Sequence, residues 1–127
     1  MAVSPSYTAT PRTERGLLSV ANTNRDGTGT IVNLFTAGLS GSRVERITIC
    51  ATGTTTAGII RFYINADTIN RDLYLEVAVL ALTPTSTVIA YYRQLSSLAI
   101  ILANGDILSA STNNAETFRI IVEGGDF

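Results

Sequence analysis

The sequence predicts an all-β fold, an antiparallel sandwich of about eight strands, and three observations carry that expectation. Apolar residues make up 46% of the 127-residue chain, with Ile, Val and Thr abundant, and β-branched side chains suit a pleated, half-buried surface. From Leu17 onward short apolar segments alternate with clusters of Gly, Asn, Asp, Thr and Ser, at roughly the 8–12-residue spacing of sandwiches and barrels. No apolar spacing of three and four persists over the roughly eleven residues a helix needs, and the cap and charge patterns of helix ends are missing.

Residues 1–16, MAVSPSYTATPRTERG, carry Pro5 and Pro11 and no hydrophobic period. They read as an extended arm ahead of one domain spanning 17–127, and such a segment orders when it lies across a neighbour. The first strand is expected over Leu17 to Ala21, before a polar stretch in which Asp26-Gly27 signals a turn. The second is Thr30 to Ala37. The third, Arg43 to Thr52, sends Ile47, Ile49 and Ala51 inward and Cys50 to the opposite face. Ala57 to Ala66 puts Ile60, Phe62 and Ile64 on one side and Ile59, Arg61 and Tyr63 on the other, the pattern of a half-buried strand.

Asp67 to Asp72 then leads into Leu73 to Leu80, where Leu73, Leu75, Val77 and Val79 alternate with Tyr74, Glu76 and Ala78, and a hairpin is predicted there. Thr83-Pro84-Thr85-Ser86 opens a strand over Thr87 to Gln94, with Tyr91 and Tyr92 facing opposite ways. Leu98 to Leu102 is apolar without a clear period. Asn104-Gly105-Asp106 is the best hairpin signal, predicted to join Ala99–Ala103 to Ile107–Ser111. After a turn at Asn113-Asn114, the last strand, Ala115 to Val122, alternates Phe118, Ile120 and Val122 against Arg119, Ile121 and Glu123. Strands of this number and length suit a jelly roll, an immunoglobulin-like sandwich or a small barrel. The jelly roll is preferred, since the Cys-Trp-Cys arrangement of antibody domains is absent.

Composition then narrows the function. Nine Arg face ten acidic residues, with no Lys and no His. The Arg residues are scattered singly, without the basic stripe that a phosphate backbone needs, so no nucleic-acid partner is expected. An all-Arg complement suits bidentate pairing with carboxylates at protein interfaces. The lack of His removes the commonest general base and transition-metal ligand, and the lone Cys50 makes neither an internal disulfide nor a zinc site by itself. The N-terminus lacks the apolar core of a signal peptide, and no segment approaches the roughly 18 continuous apolar residues of a membrane span. Cytoplasmic synthesis and no membrane partner are therefore expected.

Three constellations hold residue types capable of chemistry. Asp67, Asn70 and Asp72, like Asn22 to Asp26, carry oxygen ligands, but their spacing matches no calcium loop and serves turns. Gly53 to Gly58 lacks the Lys and the following helix of a phosphate loop. Glu76, Asp106, Glu116 and Glu123 are not placed by sequence as a catalytic pair. No catalytic, cofactor-binding or metal-binding residue is assigned, and no enzymatic activity is expected.

An interface is better supported. Ile59, Tyr63, Tyr74, Leu80, Ile89, Tyr91 and Ile121 fall opposite the presumed core, where an isolated soluble domain prefers charges, and together imply a second buried surface. With the arm and the Gly-Gly-Asp-Phe tail, the candidate interface residues are Tyr7, Arg12, Arg15, Ile59, Tyr63, Tyr74, Tyr91, Asp126 and Phe127.

From about Ile49 to Phe127 the chain also resembles a known family. The matching segments are Thr52-Gly53-Thr54-Thr55-Thr56-Ala57-Gly58 with Arg61 and Tyr63, then Glu76-Val77, Thr83-Pro84-Thr85 and Ser86-Thr87-Val88. The strongest is Ala110-Ser111-Thr112-Asn113-Asn114-Ala115-Glu116-Thr117-Phe118, with the ending Gly124-Gly125-Asp126-Phe127. These resemble small virion proteins of tailed phages, the head decoration, cement or fibre-associated proteins. The resemblance implies a structural role on the capsid surface with a jelly-roll architecture. The implied partners are the major capsid protein and further copies of the chain, as a dimer or trimer. The alternative it leaves is a fibre module that binds host-surface carbohydrate through Tyr91, Tyr92 and the Asn113-Asn114 loop. A cupin-like oxygenase would need a His-bound metal.

Overall fold

A computed structural model of the chain describes residues 9–66 and 70–127. Nine strands follow in order: β1 (Thr10–Leu18), β2 (Val32–Thr36), β3 (Ser42–Ala51), β4 (Gly58–Asn65), β5 (Arg71–Val79), β6 (Tyr92–Leu95), β7 (Ile100–Leu102), β8 (Ile107–Thr112) and β9 (Phe118–Asp126). They form two antiparallel sheets packed as a sandwich, and no helix occurs among the described residues. The first sheet has the order β1-β9-β3-β6, with β7 also on β3, and the second β2-β8-β4-β5. The chain changes sheet at nearly every connection, so neighbours within a sheet are mostly distant in sequence.

Alternation builds the core as anticipated. Ile47, Ile49 and Ala51 of β3 meet Ile60 and Phe62 of β4, Val77 and Val79 of β5, Leu108 and Ala110 of β8, and Phe118, Ile120 and Val122 of β9 in one buried cluster. The Tyr91 ring closes one end of it edge-on to Phe118, with centroids 6.4 Å apart, a geometry that sets ring edge against ring face. The β4–β5 hairpin is present as predicted.

Several expected elements differ. The N-terminal strand begins at Thr10, so the anticipated boundary at 16/17 falls inside β1, which pairs with β9 from Thr10↔Asp126 to Leu18↔Phe118. The alternation there is polar, with Arg12, Glu14 and Gly16 partly covered and Thr13, Arg15 and Leu17 exposed, and a search for apolar period passes over it. Pro11 is tolerated because β1 is an edge strand. The anticipated strand over Leu17 to Ala21 is loop beyond Leu18.

The Asn104-Gly105 turn exists, with Gly105 at φ 83° and the Asp106 amide donating to the Ala103 carbonyl at 3.0 Å. It is not a hairpin, because β7 joins β3 in the first sheet while β8 sits between β2 and β4 in the second. Turn chemistry specifies that the chain reverses, not which sheet it enters next. Thr87 to Ala90 is also loop, since the Thr85 hydroxyl accepts the Val88 amide at 3.1 Å and the Thr85 amide donates to the Val88 carbonyl. The strand there starts only at Tyr92, and the last strand runs from Phe118 to Asp126.

Candidate interaction surface

The expected C-terminal tail is tied into the sandwich. Asp126 accepts hydrogen bonds from Ser42 Oγ at 2.5 Å and Arg12 Nη1 at 2.9 Å. Arg12 Nη1 also donates to the Thr36 carbonyl at 2.7 Å, its Nη2 donates to Glu14 at 3.0 Å, and its guanidinium lies 4.2 Å from the centroid of the Phe35 ring. The Ser42 and Arg12 hydrogen bonds hold the Asp126 carboxyl below the usual carboxylate range. The Phe127 amide donates to the Gly41 carbonyl at 3.1 Å. Arg12, Asp126 and Phe127 therefore meet at one end of the molecule, in internal contacts that join both ends of the described chain to β2 and β3.

The second arrangement covers the outer face of β4. That strand was expected to be half-buried, yet Arg61 is 3% exposed and Tyr63 fully buried on the face away from the core. The 22–30 loop lies over them. Tyr63 Oη donates to the Asn24 carbonyl at 3.0 Å, Arg61 Nη1 to the Asn22 carbonyl at 3.5 Å, and Asn22 Nδ2 to the carbonyls of Thr28 and Thr30. Glu76 completes the layer, taking Arg61 Nε at 3.0 Å and Arg25 Nε at 3.1 Å. Beneath the loop Ser109 Oγ donates to Asn65 at 3.0 Å.

These contacts settle where the other candidates lie. Tyr63 is spent inside the chain, and Ile59 is half-buried on β4 opposite Ala78. Tyr91 is 4% exposed, with its hydroxyl donating to the Ala78 carbonyl at 2.6 Å, so it belongs to the core while Tyr92 faces out as the alternation predicted. Tyr74 is 48% exposed, one residue from Leu73 and Leu75 at the bulge in β5. Leu80 and Ile89 are exposed, but in loop after β5 and before β6 rather than on the strand face expected of them. Arg15 is exposed on β1. Tyr7 and Asp67 lie outside the described residues.

What remains open is the outer face of the first sheet. The pairing register sets Leu17, Arg119, Cys50 and Tyr92 in one row, Arg15, Ile121, Thr48 and Gln94 in the next, and Thr13, Glu123 and Arg46 beyond. Arg46 grips Glu123 through two hydrogen bonds, Nε to Oε1 at 3.0 Å and Nη2 to Oε2 at 2.8 Å. Gln94 Nε2 donates to Thr48 Oγ1 at 3.2 Å. Two shallow depressions border the face. An apolar one of about 260 Å³ is lined by Cys50, Ala51 and Ile89 to Tyr92. A second, of mixed polarity and about 380 Å³, lies at the β3 bulge, lined by Glu45, Arg46, Ser96, Ser97, Glu123 and Gly124.

Sequence reading placed Arg119 and Ile121 on the outer face of the last strand. It missed the neighbours that give them meaning, because β1 and β3 are both distant from β9 in sequence and only the fold brings them to its two flanks. Among the described residues no group of three or more His, Cys, Asp or Glu side chains is placed to hold a metal ion. Glu76 and Glu123 are bound to arginines, and Glu116 accepts the Thr56 amide and hydroxyl at 2.8 and 2.7 Å. No protein-family model matches the chain, and no curated protein is significantly similar to it.

Proposed function

We propose that this chain is a structural virion protein of a tailed phage, bound to the outside of the capsid, where it cements the shell by bridging major capsid subunits. The observation that carries the reading is the open outer face of the first sheet. It offers an uncovered surface on nine- and ten-residue strands, with Leu17 and Tyr92 exposed beside arginines. A face of aromatic, aliphatic and Arg side chains suits burial against another protein.

The strand order supports a jelly roll. With β6 and β7 counted as one interrupted strand along β3, eight strands divide four and four, and the chain enters the sheets as first, second, first, second, second, first, second, first. Such a path favours two interlocked Greek keys, the plan of the jelly rolls that serve in capsid proteins among others. The segments resembling phage virion proteins add to this support. The carbohydrate alternative loses its main platform, since Tyr91 lies in the core and Asn114 Nδ2 is engaged by Thr56 Oγ1 and the Ala57 carbonyl.

A protein bridging two subunits adds contact area that must be lost before they separate. Particles assembled without this chain should release their DNA at a lower temperature than complete ones, and adding the purified protein back should restore the difference. Equal release temperatures, with no binding of the added protein, would contradict the proposal.

A further inference from the structure

The arginines divide into two groups. Arg12, Arg25, Arg43, Arg46 and Arg61 each face a carboxylate. Arg71 donates to Asn33, and Arg93 lies beside the Tyr91 hydroxyl. The side chains of Arg15 and Arg119 are the exceptions, with neither an ion-pair nor a hydrogen-bond partner among the described residues, and both are exposed. They are also neighbours. Arg15 lies opposite Ile121, and Leu17 lies opposite Arg119, so the two cations stand diagonally on adjacent strands of one face, about 7–8 Å apart at the backbone.

At the other end of this face Arg46 and Glu123 neutralise each other, which confines the unbalanced positive charge to the Arg15–Arg119 end. Its frame is apolar, with Leu17 43% and Tyr92 52% exposed and Ile121 half-buried on β9 between Arg15 of β1 and Thr48 of β3. Two adjacent guanidinium groups without counter-charge repel each other, and each offers a fork that fits one carboxylate bidentately.

We infer that this end of the first sheet docks an acidic protein surface, whose Asp or Glu carboxylates are taken by Arg15 and Arg119 while Leu17, Ile121 and Tyr92 pack against apolar side chains around them. Two face-to-face arrangements of a second copy centred on this end bring its arginines together. A two-fold axis laid along the row of Arg15, Ile121 and Thr48 sets Arg15 against its own copy, and one laid along β9 sets Arg119 against its own copy. Both place like charges in contact. The capsid identity of the partner rests on the function proposed above, whereas its acidic chemistry rests on the arginines.

The test uses two probes. Isotope-labelled protein is titrated with poly-L-glutamate and, in parallel, with a DNA duplex of matched charge, and amide shifts are read. Binding to capsids lacking this chain is then compared for the wild type, the Arg15→Gln/Arg119→Gln double variant, and Arg25→Gln as a charge control in the loop over the other sheet. The inference predicts polyglutamate shifts centred on residues 15–17 and 119–121 that vanish in the double variant. It also predicts capsid affinity about tenfold or more weaker for the double variant and unchanged for Arg25→Gln. Equal capsid binding by the double variant, polyglutamate shifts elsewhere, or a stronger response of this face to DNA would each overturn it. Arginine-dependent polyglutamate shifts without any capsid binding would overturn the capsid reading and leave the acidic docking surface standing.

Discussion

Asp126 shows how much one side chain near the end of this chain contributes. Its carboxylate holds Ser42 and Arg12 together, and Gly38 lies so close that an added Cβ would meet the carboxylate at 2.9 Å. Because the Ser42 and Arg12 hydrogen bonds depress its pKa in the folded state, the native protein binds fewer protons here than the unfolded chain. The stabilisation is therefore present above the ordinary carboxylate value, near pH 4, and is lost as pH falls through the depressed one. Thermal melts should place Asp126→Asn below the wild type at neutral pH, with the gap closing in the acid range. A gap independent of pH would show that the charge is not what matters. The sequence had marked Arg12, Asp126 and Phe127 as residues that reach a neighbour. Their chemistry was legible, but their mutual contact was not, because 114 residues separate Arg12 from Asp126.

Among the elements, β4 and the 22–30 loop give the clearest lesson. Alternation correctly assigned Arg61 and Tyr63 to the face away from the core, yet a face is a direction and not an exposure. A polar loop rich in Asn, Thr and Gly covers that face by hydrogen bonding to it, and hydrophobic pattern carries no signal for such a cover. Removing Arg61 strands the Asn22 carbonyl and one side of Glu76, so Arg61→Ala should cost about 3 kcal/mol in denaturant unfolding. This is the lower end for a broken buried ion pair, because Glu76 remains partly exposed and keeps Arg25. A loss within the few tenths typical of surface sites would mean that the loop holds without it. β1 supplies a second case. Were residues 1–16 a dispensable arm, their deletion would leave the fold intact. Because that deletion removes seven of the nine paired positions of β1 and bares the edge of β9, it should lower the melting temperature sharply and promote aggregation. A truncated protein melting like the full chain would contradict the pairing.

For the whole molecule, the class of fold was legible and the wiring was not. Period-two alternation and frequent turn residues act within a few positions, so an antiparallel sandwich could be read from the sequence directly. Which strand lies beside which is decided by pairings across the chain, such as Ser42↔Asp126 and Ile60↔Thr112, and no local feature reports them. This is why the Asn104-Gly105 turn reads locally as a hairpin and why only the register reveals the Arg15–Arg119 neighbourhood. The proposed role asks for a rigid sandwich that presents one open face many times over a shell, and copy number tests that demand most directly. Densitometry of purified virions should compare this 13.5 kDa chain with the major capsid protein. A cement protein predicts a near-stoichiometric ratio, hundreds of copies per particle on the order of the capsid protein itself, whereas a ratio of a few per cent would contradict the account and move the chain to the tail.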